Sequence, residues 1–120
     1  MSWKVLYYQK ENGEEPVQRF LAKLPAKHRA KALWEIDLLE QCGLNLREPY
    51  AKRLQGEKYR GLYELRVQQG RDSSRIFYFL PVGNTFILLH GFLKKANETP
   101  ELELNTAHRY MQDYLRRYGE

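Results

Sequence analysis

Residues 75–95, RIFYFLPVGNTFILLHGFLKK, leave this chain little choice of fold. Two runs rich in aromatic and β-branched side chains, 75–80 and 85–93, flank Pro81-Val82-Gly83-Asn84. That pattern predicts two antiparallel strands joined by a short turn. Strand, turn and strand bring the ends of the stretch together, so Arg75 is expected near Lys94 and Lys95. Cations held on a rigid sheet form a plausible phosphate site.

Other elements must cover that sheet, and the rest of the chain supplies them. Residues 3–8 are dense in aromatic and β-branched types and read as a first strand. Glu14-Glu15-Pro16 opens a helix, because acids suit the first turn and proline is tolerated there. Val17, Phe20, Leu21 and Leu24 give it one apolar stripe before Pro25 ends it. Residues 26–42 form a second helix. Leu33, Ile36 and Leu39 make one side of it with Ala30 and Ala32, Trp34 and Leu38 widen the apolar surface, and Gly43 is its cap. The two helices read as a hairpin laid on the sheet.

Residues 51–54 are a short edge strand. In the strand 62–67, Leu62, Glu64 and Arg66 face one way and Tyr63, Leu65 and Val67 the other. Gly70 turns the chain into the two central strands, giving an antiparallel meander. Thr99 as N-cap and Pro100 at the first helical position start a last helix. Ala107, Tyr110, Met111, Tyr114, Leu115 and Tyr118 keep its 3.6 period. The expectation is a single α+β domain over 1–120, with a twisted antiparallel sheet and helices packed on it.

Composition narrows the partners. Twenty Lys+Arg against 15 Asp+Glu give a net charge of +5, a balance that favours anionic partners such as nucleic acid. Cys42 is the only cysteine, so no disulfide forms within the chain. His28, His90 and His108 lack paired metal spacing. No metal and no cofactor are expected. The first ten residues read as a strand rather than a signal peptide, and no stretch suits a membrane helix. A cytoplasmic location is expected.

The order of elements, together with Lys52-Arg53-Leu54, Gly61-Leu62-Tyr63-Glu64-Leu65-Arg66, Arg75-Ile76-Phe77-Tyr78 and His90-Gly91-Phe92-Leu93-Lys94-Lys95, resembles the RelE/ParE superfamily of bacterial toxins. The phage-derived Gp49-like, or HigB-like, branch is the nearer match. The resemblance implies a RelE-like fold: an N-terminal strand and helical hairpin, a β-meander and a C-terminal helix. It implies the toxin of a type II toxin–antitoxin pair that cleaves mRNA on the ribosome. The implied partners are that mRNA and a helix-turn-helix, HigA-like antitoxin, with operator DNA reached only through the antitoxin. ParE-like relatives share the fold and attack DNA gyrase, and an inert RNA- or antitoxin-binding module is a third reading.

Metal-free RNA cleavage sends the 2′-hydroxyl against the adjacent phosphate. It needs a proton acceptor, stabilisation of charge at phosphorus and a donor for the leaving oxygen. Arg75 resembles the arginine that contacts the scissile phosphate in RelE-like nucleases. Lys94 and Lys95 close the last strand where the family places basic residues. Their side chains diverge, so one of the two is expected in the site. Lys95 is a candidate for stabilising charge or protonating the leaving oxygen. Arg66 would bind phosphate, with Glu64 orienting it or taking a proton; a surface ion pair is the plain alternative. Tyr78 is a candidate proton donor or base platform, or else a core tyrosine. Lys52, Arg53 and Tyr59 are candidate RNA-binding residues, with edge charges and packing as the structural accounts. His90, placed on the Phe86, Leu88 and Phe92 face, reads as a structural histidine and a minor catalytic candidate. Arg109, Arg116 and Arg117 read as a solvated helix face.

Overall fold

The computed structural model describes residues 2–95 and 98–119. Its elements run β1 (Lys4–Tyr7), α1 (Pro16–Lys23), α2 (Ala26–Cys42), β2 (Ala51–Arg53), β3 (Tyr63–Gln69), β4 (Asp72–Val82), β5 (Thr85–Leu93) and α3 (Glu101–Tyr118). The five strands form one sheet in the order β1-β5-β4-β3-β2. The meander from β2 to β5 is antiparallel throughout, as expected.

β1 departs from the expectation of an all-antiparallel sheet. It joins the far edge parallel to β5, with Val5 opposite Phe86 and Tyr7 opposite Leu88, so the sheet is mixed. The helical hairpin between β1 and β2 makes this possible, because it crosses the sheet from the β1 edge to the β2 edge and leaves β1 free to pair with β5.

Two cores sit on the two faces. On one, Val17, Leu21, Ile36 and Leu39 of α1 and α2 cover Leu65, Val67, Ile76, Tyr78, Phe86 and Leu88. On the other, Ala107 and Met111 of α3 cover Leu62, Phe77, Phe79, Ile87 and Leu89. Two glycines let the first layer close. A Cβ at Gly91 would stand 2.5 Å from the Phe20 ring of α1, and one at Gly43 would stand 2.0 Å from Trp3. Gly43 also has φ of 57°, a left-handed value that ends α2.

Arg29 of α2 ties the hairpin. Its guanidinium donates to the carbonyls of Leu21, Ala22 and Leu24 at 2.9, 3.1 and 2.7 Å, satisfying the exposed C-terminal end of α1.

Three further details differ from expectation. α2 buries His28, Ala32, Glu35, Ile36 and Leu39, while Leu33 and Trp34 remain about half exposed. Trp34 is covered instead by the Lys31 ammonium, 4.2 Å from its ring centre. The N-cap of α3 is Pro100, without a side-chain cap, rather than Thr99. Finally, a bulge in β5 pairs Phe77 with His90 but Tyr78 with Leu88. The extra residue turns His90 to the α3 face, away from the face of Phe86 and Leu88.

Candidate functional site

Direct pairing across antiparallel strands places side chains on a common face. Two such rows lie side by side on the α3 face of the sheet. One runs Lys52, Glu64, Phe77 and His90; the next runs Arg66, Arg75 and Phe92. α3 covers the part of this face around Phe79 and Ile87. The rows lie towards the end of the sheet where β5 finishes, and there the polar side chains gather.

Arg75 is the centre. Its Nη1 donates to Ser73 Oγ at 2.7 Å and to the Ser74 carbonyl at 3.0 Å. Its Nε is buried without a partner among the described residues. Glu64 lies beneath, 4% exposed. Glu64 Oε1 accepts from Arg66 Nε at 3.4 Å and lies 3.9 Å from Arg75 Nε. Its Oε2 is buried and unpaired among the described residues. Arg66 also reaches Glu48 at the rim, 3.4 Å away.

Lys94 joins the group just past the end of β5, its backbone N–H donating to the Ser73 carbonyl at 2.8 Å. Burial holds its ammonium below the usual lysine range, and the charges of Arg75, Arg66 and Lys52 act the same way against the pull of Glu64. Burial likewise lowers Arg75, with Glu64 opposing and Arg66 adding to the effect. Four cations, Lys52, Arg66, Arg75 and Lys94, thus face two carboxylates, Glu64 and Glu48. Depressed cations crowded on a partly dry surface favour an anionic ligand, which would relieve their repulsion.

The remaining candidates do not all join them. Lys95 is exposed, and among the described residues no hydrogen bond or ion pair ties it to the cluster. Contrary to expectation, Tyr78 lies outside the site. It stands three positions from Arg75, on the α1/α2 face, 2% exposed and stacked on Tyr63 with ring centres 5.3 Å apart. Burial raises its hydroxyl pKa well above the ordinary tyrosine value. Arg53 pairs with Tyr63 and so faces away from Lys52. It borders a separate open hollow with Arg60. Tyr59 packs against α3, its hydroxyl donating to Asn105 Oδ1 at 3.0 Å. His90 stacks between Phe77 and Phe92 and lies 2.6 Å from Glu103 Oε1 of α3, at the border of the cluster.

A cavity of about 350 Å³ opens beside Arg75. β2 ends against Leu65, so β3 has a free edge from Val67 onward. The cavity lies at that edge, with Arg66, Gln68 and Arg75 on one side and Lys31 and Glu35 of α2 on the other. Sequence reasoning missed Glu35. Its position on the stripe of Ala32, Ile36 and Leu39 was the available signal, since an acid on an apolar face asks for an explanation.

Among the described residues, no helix is long and apolar enough to cross a membrane. The family model for phage derived protein Gp49-like (DUF891) matches residues 19–112, from within α1 to within α3. No curated protein matches the chain.

Proposed function

Because the chain belongs to the Gp49-like family of phage-derived proteins, a RelE-like toxin family, we propose that it is the toxin of a type II toxin–antitoxin pair, of the HigB-like branch, and that it cleaves mRNA on the ribosome. The observation that carries this reading is the convergence of Arg66, Arg75 and Lys94 around Glu64 on a rigid sheet, beside an open cavity. A phosphodiester presents charge of the right sign and size for that group.

In the reaction the 2′-oxygen forms a new bond to phosphorus as its proton passes to water. The 5′-oxygen then departs and takes up a proton, leaving a cyclic phosphate and a 5′-hydroxyl. Arg75 and Arg66 hold the non-bridging oxygens and stabilise the charge that grows on them. Lys94, with its lowered proton affinity, is suited to protonate the leaving oxygen. Glu64 keeps both guanidiniums aimed at the same point. Lys52 extends the cationic track for the neighbouring phosphate. The partner that silences the toxin is a helix-turn-helix antitoxin, and the site of action is the translating ribosome in the cytoplasm.

Controlled expression tests this. Growth arrest with codon-associated 5′ ends in cellular mRNA, both abolished in Arg75→Ala and Lys94→Ala, is the expected result. Arrest with intact mRNA and damaged DNA would replace the nuclease with a gyrase poison. Arrest and cuts that persist in both variants would move the chemistry elsewhere on the molecule.

A further inference from the structure

The cavity beside Arg75 reaches well past the phosphate-binding group. Its far wall is made by Lys31 and Glu35, one turn apart on α2. Glu35 is 2% exposed, yet its Oε1 has no partner among the described residues. Its Oε2 lies 3.3 Å from Lys31 Nζ. Burial raises the Glu35 carboxyl above its ordinary pKa, with Lys31 opposing. A buried acceptor without a donor is a costly arrangement, and here it borders a cavity whose opposite wall holds cations. At about 350 Å³ the space falls within the range of small-ligand pockets. Tyr50, 39% exposed, offers an aromatic face at its side.

We propose that Lys31 and Glu35 form a subsite that reads the Watson–Crick edge of a guanine base whose phosphate is held by Arg75 and Arg66. This rests on the RNA reading above. Guanine presents an acceptor, O6, and then two donors, N1–H and the 2-amino group, along one edge. An ammonium followed by a carboxylate complements that order: Lys31 donates to O6, and the two oxygens of Glu35 accept from N1–H and the amino group. Adenine and cytosine reverse the first two positions, setting a donor against Lys31 and an acceptor against Glu35. Uracil matches the first two and then sets its O2 against a carboxylate oxygen. The subsite thus discriminates by leaving the wrong base with unpaired buried groups, which cost about tenfold each.

Calorimetric titration of the full chain with GMP, IMP, AMP, CMP and UMP tests it. The expected order has GMP at least about tenfold tighter than AMP, CMP and UMP, with IMP, which lacks the 2-amino group, in between. Glu35→Gln should bring GMP down to the level of the others, while Arg75→Ala should weaken all five alike. Equal binding of all five by the unaltered protein would overturn the guanine subsite and leave the nucleotide site standing. No binding of any would overturn both. A guanine preference that survives in Glu35→Gln with an unchanged circular dichroism spectrum would overturn the assignment to Glu35. The comparison of GMP with IMP needs no variant, so equal binding of those two would overturn recognition of the 2-amino group even where Glu35→Gln fails to fold.

Discussion

Arg66 and Arg75 stand directly opposite each other on β3 and β4, on the same face of the sheet. Like charges in this register destabilise a strand pair. The fold tolerates them with one buried carboxylate, Glu64, between their Nε atoms at 3.4 and 3.9 Å. Such a pair serves an anion better than it serves the sheet. Arg75→Ala should therefore lower mRNA cleavage by at least about a hundredfold, the scale of one lost charge-stabilising group. It should change unfolding free energy by less than about 1 kcal/mol, because lost packing is offset by relieved repulsion. Cleavage assays on programmed ribosomes and urea unfolding read the two effects separately.

Glu64→Gln should do the reverse. Removing the carboxylate between them leaves two guanidiniums facing each other, which costs on the order of 3 kcal/mol. An anion can then substitute for the lost carboxylate. Millimolar phosphate should raise the Tm of Glu64→Gln more than that of the unaltered protein. Equal shifts in thermal scans would show that Glu64 does not hold the pair.

The elements were largely legible in the sequence because their signals are local. The bounds of α2 and β5 follow from Pro25, Gly43 and the turn at Gly83. The parallel seat of β1 was not legible, since pairing with β5 is decided by the span of the intervening hairpin rather than by the strand itself. His90 was misplaced because a bulge at one residue reverses the parity of a whole strand end. The exclusion of Tyr78 was there to be read: odd spacing from Arg75 puts it on the other face of an unbroken strand. Glu35 was legible only from its place on the stripe of Ala32, Ile36 and Leu39, and its charge pointed the other way, to a solvated helix position.

Tyr78→Phe follows from that geometry. The ring packs on Tyr63 and edge-on to Phe86, so loss of the hydroxyl should leave cleavage within about twofold of the original. Tyr78→Ala should instead remove about 3–5 kcal/mol of stability, the usual cost of a deleted core aromatic. A hundredfold loss in Tyr78→Phe would return the residue to the chemistry.

Lys94 and Lys95 should separate cleanly. Lys94→Met should flatten the salt dependence of RNA binding by about 0.7 in log–log slope, the share of one phosphate contact on a single strand. Lys95→Met should change it less. Stability adds a second readout. Lys94 is lowered in the fold by burial and by Arg75, so the unfolded chain holds that proton more tightly. The fold gains stability as pH rises from the depressed value to the ordinary lysine range. Lys94→Met should therefore be the more stable protein at neutral pH, with the difference closing as pH approaches the ordinary lysine value of 10.5.

α3 frames the site through Glu103 against His90 and Asn105 against Tyr59, but its far end is what anchors it. Tyr8 donates to Asp113 at 2.5 Å, and Arg117 spans Asp113 at 2.7 Å and the Gln9 carbonyl at 2.5 Å. The hydrogen bond from Tyr8 first, then those from Arg117 and Arg116, hold the Asp113 carboxyl down at about 2. The same contact, with burial as the larger cause, lifts the Tyr8 hydroxyl to about 12. A depressed carboxyl contributes stability above its unfolded value and loses it as pH falls through the folded one. Asp113→Asn should thus be less stable at pH 6 by on the order of 1 kcal/mol, the partly exposed network being screened by solvent. That gap should close between about pH 4 and pH 2. Cleavage at neutral pH should fall only to the extent that the helix loosens, so adding a stabilising osmolyte should restore it in Asp113→Asn and not in Arg75→Ala. Equal failure of rescue in both would place Asp113 in the reaction itself.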